Sequence, residues 1–543
     1  MKPPGPAPTH VGVGPSFVSE SVCARTLSDH PGREAACCWR PPPAAVKEGL
    51  SRVGVFMRTT HRPLTTLALA LSLFMAALEA TVVSTAMPTV VGELGGIQHY
   101  AWVFTAYMLS STITVPIYGK LADLYGRKPV LVFGIVLFLV GSIASGLSTS
   151  MAMLIGFRTL QGLGAGAMQP VALTVIGDIY TLEERAKVQG AFSAVWGIAG
   201  LIGPITGGFL VKYLTWHWVF FINVPVGVGC LVLLLSYFHE RVERKPQKLD
   251  YAGAALLTGW VVALLVGVQG VGVNLWGLPV AAVLLAAFVA VERKVAEPII
   301  PMSIFKVPAI VISSIAGALF SAAMFGATTY VPLFVQGVLG GTPTEAGGMI
   351  TPMIVGWPLA ALVAGKLLLK TGFRPLIVGG LGLTVVGTSL MALLLGPQAP
   401  RLLPEVAMGL FGIGMGFAST ALLIAVQTSV GWELRGVATA SNMFFRTIGG
   451  AIGVGLMGGV MVSQLLKDPT VPISAANALM SPDHGQDLPA DLLATLSGAL
   501  GTGLSINFWL ICAFTVAAFA AGLFFPKVSR TTTVSSTEVV APH

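Results

Sequence analysis

Charge is what this sequence has least of. Only 10% of its 543 residues are Asp, Glu, Lys or Arg, against the ~25% of an ordinary soluble domain. Cysteine is scarce as well: Cys23, Cys37 and Cys38 lie near the N-terminus, while Cys230 and Cys512 each stand alone in an apolar run. No CxxC or Cys/His spacing offers a metal site, and no pair of cysteines points to a disulfide. No GxxxxGK[ST] loop is present to cradle ATP, and no GxSxG elbow to carry a nucleophile. His239-Glu240 runs on as Arg-Val-Glu, so there is no HExxH zinc site. The GxG runs at 162–166 and 412–416 lie inside apolar stretches rather than after strands, which argues against dinucleotide binding.

What is abundant is hydrophobicity. Fifty-four per cent of the residues are apolar and the mean hydropathy is +0.82. A disordered chain needs the opposite balance, and a soluble fold keeps a more polar surface. Sixty-five glycines occur without a Gly-X-Y period, so collagen is excluded. The remaining class is an all-α polytopic membrane protein. The net charge of +8 is spread in short clusters between apolar runs, which is how positive-inside loops look and not how a nucleic-acid patch looks.

Fourteen apolar stretches, from 64–87 to 503–525, are long enough to cross a ~30 Å hydrocarbon core, the eighth (277–292) being short. With the N-terminus inside, the inner loops collect cations such as Lys120, Arg127, Lys128, Arg185, Arg244, Lys306, Lys370, Arg374, Arg435 and Lys527. The outer side keeps only Lys212, Arg401 and Lys467. Both ends are therefore expected in the cytoplasm. The longest outer loop is expected at about 467–502. Residues 1–60 read as a disordered, Pro-rich tail, with Met57, just ahead of Arg58, His61 and Arg62, expected as the natural start; 528–543 read as a second disordered tail.

An internal repeat organises the rest. Gly119-Lys-Leu-Ala-Asp-Leu-Tyr-Gly-Arg-Lys-Pro-Val-Leu-Val-Phe-Gly134 recurs as Gly365-Lys-Leu-Leu-Leu-Lys-Thr-Gly-Phe-Arg-Pro-Leu-Ile-Val-Gly-Gly380. Both copies join the second and third spans of a six-span half once spans 7 and 8 are set aside as an insertion.

Charged residues inside the spans are the chemical candidates. Glu79 lies about 22 Å along the first span, where an unpaired carboxylate costs ~2.5–3.5 kcal/mol or more. It must therefore face a cavity, carry a proton or find a partner; a structural hydrogen bond to a neighbouring helix is the alternative. Arg158, in the first third of the fourth span, cannot shed its charge. It is read either as a residue that tunes nearby proton traffic or as a structural anchor reaching the interface. Gly162/Gly166, Gly203/Gly207, Gly412/Gly416 and Gly449/Gly453 are small-xxx-small pairs that let helix backbones approach closely. Trp102, Tyr107, Gln161, Trp196, Tyr330, Gln336, Asn442 and Phe445 are candidate cavity residues, with packing or the interfacial aromatic belt as the competing role.

GKLADLYGRK (Gly119–Lys128) resembles the inner-loop signature of the major facilitator superfamily. Arg158–Gly166 resembles its drug:H+ antiporter motif in the fourth span, and Gly197-Ile-Ala-Gly-Leu-Ile-Gly-Pro-Ile-Thr-Gly-Gly208 its antiporter motif in the fifth. WHWVFFINVPVG (Trp216–Gly227), LEATVVSTAMP (Leu78–Pro88) and the span count resemble the fourteen-span EmrB/QacA branch, except that Glu79 stands where many of that branch carry aspartate. The resemblance implies a major facilitator fold: a six-helix half at 61–240, two inserted helices at 241–300 and a second half at 301–527. It further implies alternating-access, proton-coupled efflux of hydrophobic, often cationic compounds across the inner cell membrane, with no cofactor beyond the proton-motive force. Glu79 and Arg158 would carry proton coupling or substrate. Gly119, Asp123, Gly126, Arg127 and Lys128 would form a charge latch closing the cytoplasmic side, unless the two cations simply hold their loop inside. Gly197, Gly203, Pro204, Gly207 and Gly208 would form a gating surface. Asp178, Glu183, Glu184 and Arg185 are expected as solvated loop residues. The expected partners are small hydrophobic or cationic substrates, protons and membrane lipids; an envelope partner is left open. A dedicated exporter of a native metabolite or lipid, and more distantly a channel, remain alternatives, and no catalytic set marks an enzyme.

Overall fold

The computed structural model describes residues 60–180, 182–240, 250–269, 276–295, 298, 300–395, 402–467, 477 and 489–526. Both expected tails, apart from Thr60, lie outside the described residues. Fourteen helices follow one another, and no strand occurs among the described residues. They are α1 (Arg62–Leu94), α2 (Tyr100–Tyr125), α3 (Arg127–Gly146), α4 (Met151–Ile179), α5 (Leu182–Tyr213), α6 (Asn223–Tyr237), α7 (Tyr251–Gln269), α8 (Gly277–Glu292), α9 (Pro308–Gly337), α10 (Pro343–Thr371), α11 (Phe373–Leu394), α12 (Leu402–Thr428), α13 (Trp432–Leu465) and α14 (Ala490–Leu523). A single turn, Trp218–Phe221, leads into α6.

Ten of these are long and apolar enough to cross a membrane, the sixth span counting from Trp218. α7 and α8 are shorter apolar helices. α2 and α4, at 26 and 29 residues, are long enough but are not among the ten. Their polar residues explain the deficit: Tyr107, Ser111, Thr112 and Gln169 face an internal cavity instead of lipid. The C-terminal boundary differs from the sequence expectation. Asp491 stands in the first turn of α14, where a carboxylate favours the positive end of the helix dipole. The Ala- and Leu-rich run that follows is helical from Ala490, well before position 503.

The repeat is visible as geometry. In its two copies Gly126 (φ 98°) and Gly372 (φ 85°) occupy the same tight turn between helices, a conformation that glycine alone adopts without strain. Just beyond each turn a cation reaches a helix C-terminus in the same half: Lys128 Nζ donates to the carbonyls of Leu235 (3.0 Å) and Phe238 (2.5 Å), and Arg374 Nη2 to Leu523 (2.9 Å). Packing repeats as well. α1 packs on α5 and α6, α2 on α4, and α3 on α4, just as α9 packs on α13 and α14, α10 on α12, and α11 on α12. The halves meet along α5–α10, α2–α13 and α1–α9, and the inserted α7 packs against α2 and α13.

Candidate functional site

Between the halves lies a cavity of about 1070 Å³. Its wall includes Gly119 and Lys120 near the end of α2, Gly177 near the end of α4, and Gln427 and Thr428 at the end of α12, so it opens towards the Gly126/Gly372 turns. At the opposite end the halves are tied together. Tyr100 Oη donates to the Thr329 carbonyl (2.8 Å), and Gln336 Nε2 to the Thr85 carbonyl (3.0 Å). Methyl groups on Gly208 and Gly347 would crowd Thr344 and Pro204 across the α5–α10 seam. The conformation is therefore open at one end and sealed at the other.

Glu79 and Arg158 lie deep on the cavity wall, each with about 1% of its surface exposed. They form an ion pair: Arg158 Nη1 donates to Glu79 Oε1. Each charge has further partners, as a desolvated pair requires. Asn223 Nδ2 of α6 donates to Glu79 Oε2. Arg158 donates to Gln161 Oε1 (2.7 Å) and to the Val103 carbonyl (3.3 Å), and its guanidinium stands 4.2 Å from the Tyr107 ring centre. Ser142 of α3 accepts from both Gln161 Nε2 (3.2 Å) and Asn223 Nδ2 (3.0 Å) and donates to the Phe220 carbonyl (2.9 Å). Five helices of one half thus hold a single carboxylate–guanidinium pair.

The other candidates divide. Tyr107 and Trp196 line the cavity. Gln161 is fully buried and serves the network behind the wall. Tyr330 and Gln336 are not on the wall: Tyr330 Oη donates to the Val454 carbonyl (2.7 Å), and Gln336 bonds α1, so both belong to seams between helices. Asn442 is likewise a seam residue, donating to Ser314 Oγ (3.3 Å), and Phe445 packs edge-on against Phe305. Trp102 is half-buried and off the wall. Phe444 and Phe325 supply cavity aromatics that the sequence reading passed over. Asn223 and Ser142 were also missed; an asparagine inside the quoted FFINVPVG run was the available signal.

The glycine motif of α5 has two working faces. Gly203 and Gly207 meet Thr81 and Thr85 of α1, whereas Gly197, Gly200 and Gly208 meet Pro358, Ile354 and Thr344 of α10 in the other half. The inner-loop motif is a brace within one half. Arg127 pairs with Asp178 (3.0 Å) at the end of α4 and with Glu240 (3.7 Å) after α6. The Arg127 and Lys128 N–H groups donate to the same Glu240 carboxylate (2.7 and 2.8 Å). These ties, to Asp178 and Glu240, are present while the cavity is open on this side. Asp178 is correspondingly a partner, not merely a solvated end. Gly119 lies at the cavity mouth with open space around it; the side chain of Asp123 lies outside the described residues.

A family model described as Major Facilitator Superfamily matches residues 69–454. The chain belongs to that superfamily. Among relatives, the multidrug transporter protein MdtP of Bacillus subtilis is 39% identical over 76% of this chain and 79% of its own. The acurin A biosynthesis cluster MFS-type transporter of Aspergillus aculeatus is 30% identical over 75% and 77%. Among solved structures, a bacterial homologue of the human lysosomal transporter Spinster, in an inward-facing and unoccupied conformation, matches with a TM-score of 0.61 at 15% identity, covering 85% of this chain and 97% of that one. The chain is a multi-pass membrane transporter of small molecules, not an enzyme.

Proposed function

We propose that this transporter exports hydrophobic, often cationic compounds across the cytoplasmic membrane in exchange for protons, by alternating access. The observation carrying the reading is the Glu79–Arg158 pair on the wall of the cavity. The cavity is large enough for a drug-sized molecule, and Phe104, Tyr107, Trp196, Phe325 and Phe444 offer it aromatic faces. Arg158 keeps its charge, so the pair is neutral while Glu79 is ionised and gains one positive charge when Glu79 takes a proton. A lipophilic cation near Glu79 and a proton on it compete for the same carboxylate, which makes their occupancies alternate. Opening towards the cation-rich turns, the cavity faces the cytoplasm by the positive-inside rule, with both termini on that side. One proton entering down a proton-motive force of ~150 mV releases ~3.4 kcal/mol, enough for a ~300-fold gradient of an uncharged compound without ATP. One-for-one exchange with a monovalent cation moves no net charge and draws on the pH difference alone.

In inside-out vesicles given an acid interior, ethidium should accumulate with the native protein and stop accumulating with Glu79→Gln. Accumulation that survives the substitution would overturn the assignment of Glu79. The relative from a biosynthesis cluster supports a second reading, a dedicated exporter of one native metabolite. A folded protein that moves neither ethidium nor tetraphenylphosphonium would favour that reading.

A further inference from the structure

The cavity wall carries hydroxyls whose protons are already spent. Thr447 of α13 donates to the Met443 carbonyl (3.0 Å) and Thr328 of α9 to the Met324 carbonyl (3.1 Å). Ser111 and Thr112 of α2 both donate to the Met108 carbonyl (2.9 and 2.6 Å). All four line the cavity, as do Thr174 and Thr428 nearer its mouth, which donate to Pro170 and Ile424 (2.9 Å each). A carbonyl can only accept, so at these separations the hydroxyl hydrogen lies on it. A hydroxyl has one hydrogen and two lone pairs. Bonded back to its own helix, it offers an incoming molecule lone pairs alone.

These acceptors stand close to the ion pair. Ser111 lies one turn along α2 from Tyr107, whose ring meets the guanidinium of the Glu79–Arg158 pair. A methyl group on Gly450 of α13 would meet Phe325 of α9 (2.5 Å) and Met108 of α2 (2.9 Å), so the three helices converge there. Thr447, Thr328 and Ser111 each lie one turn from that junction. Among the other uncharged polar groups of the wall, the hydroxyls of Thr329 and Ser441 and the amides of Gln169 and Gln427 can donate or accept, and Trp196 only donates. The wall's cations are Lys120, at the mouth, and Arg158, which is engaged with Glu79. Acceptors prevail around the middle of the cavity.

We propose that the cavity selects cations that carry N–H groups, protonated amines and aromatic cations with free amino groups, over fully alkylated ammonium or phosphonium cations of like size. The proposal rests on the export reading above and narrows its cargo. An N–H donor finds lone pairs without displacing any bond. A fully alkylated cation leaves those lone pairs desolvated and unpaired, which costs free energy. Cargo rich in acceptors has to draw a hydroxyl off its helix carbonyl, at a similar cost. Glu79 attracts both kinds of cation alike, so charge brings them in and the hydroxyls tell them apart.

Two N-methylacridinium dyes form a matched pair. One carries free amino groups and the other the same groups dimethylated, so both are permanent cations and only the first has N–H donors. Binding to purified protein is read by fluorescence polarisation, and proton-driven uptake separately in proteoliposomes. Native protein should bind the amino dye about tenfold more tightly. Thr328→Val combined with Thr447→Val removes two acceptors at nearly constant shape. It should weaken the amino dye about tenfold and leave the dimethylated dye within about twofold. Thr328→Ser combined with Thr447→Ser keeps both hydroxyls and should keep the preference, which separates lost acceptors from disturbed packing. Equal binding of the two dyes by native protein, tighter binding of the dimethylated one, or binding of neither would overturn the proposal. So would equal weakening of both dyes by the valine variant, or loss of the preference in the serine variant. Preference for the amino dye without proton-driven uptake of either would uphold the selection and sink the export reading instead.

Discussion

The two halves repeat one backbone and carry different chemistry. Gly126 and Gly372 make the same turn, Lys128 and Arg374 tie down the same helix ends, and α1–α5 packs as α9–α13 does. The first half nevertheless holds its buried arginine in a saturated network with Glu79, whereas the second leaves Arg446 against a phenyl ring. Backbone symmetry gives the two halves the same packing on either side of their seams. Chemical asymmetry places the Glu79–Arg158 pair in one half, the half to which the proposed coupling is assigned. The first half pairs its buried arginine within itself, and the second holds Arg446 against Phe320 with no acid among the described residues.

The sharpest way to break this comparison is to remove each arginine in turn. Arg158→Met strands Glu79 in a buried site and should cost about 3–5 kcal/mol of stability. Arg446→Met removes a charge that has no acid among the described residues and should leave stability unchanged or raise it. Thermal unfolding in detergent measures both, and equal losses would contradict the asymmetry. Next come the seams. A methyl group on Gly449 runs into the backbone of Ala318, whereas one on Gly203 runs into the Thr81 side chain, hydroxyl and Cβ, with no backbone atom nearer than 3.5 Å. Gly449→Ala should cost about 1–3 kcal/mol and slow substrate exchange more than Gly203→Ala does. Asn223→Ala leaves Glu79 Oε2 and the Ser142 hydroxyl each short of a donor, at roughly 1–2 kcal/mol. It should destabilise native protein but have little effect in an Arg158→Met/Glu79→Gln background. The smallest effect belongs to Arg127→Ala, about 0.2–1 kcal/mol, because its partner Asp178 is half exposed and water screens the pair.

Much of this was legible in the sequence for a stated reason. Charges are so costly inside a membrane that Glu79 and Arg158 declare themselves, and a turn that only glycine can make reveals the repeat. The cavity wall was not legible in the same way. In a helix that is apolar all round, periodicity cannot say whether an inward face meets empty space or another helix. Tyr330, Gln336 and Asn442 therefore passed as cavity residues while serving seams, and Asn223 passed unnoticed. α2 and α4 show one usable sign, since both have too low a hydropathy to be among the ten apolar spans and both line the cavity, although α1, α9 and α13 reach its wall without that sign.

The central claim is that proton and substrate compete at Glu79. Purified protein in weak buffer with a pH-sensitive dye tests it without a membrane potential, with ethidium binding followed by its own fluorescence. The account predicts that ethidium binding releases protons from native protein and none from Glu79→Gln. Equal release from both proteins, or ethidium binding to native protein with no release, would contradict it.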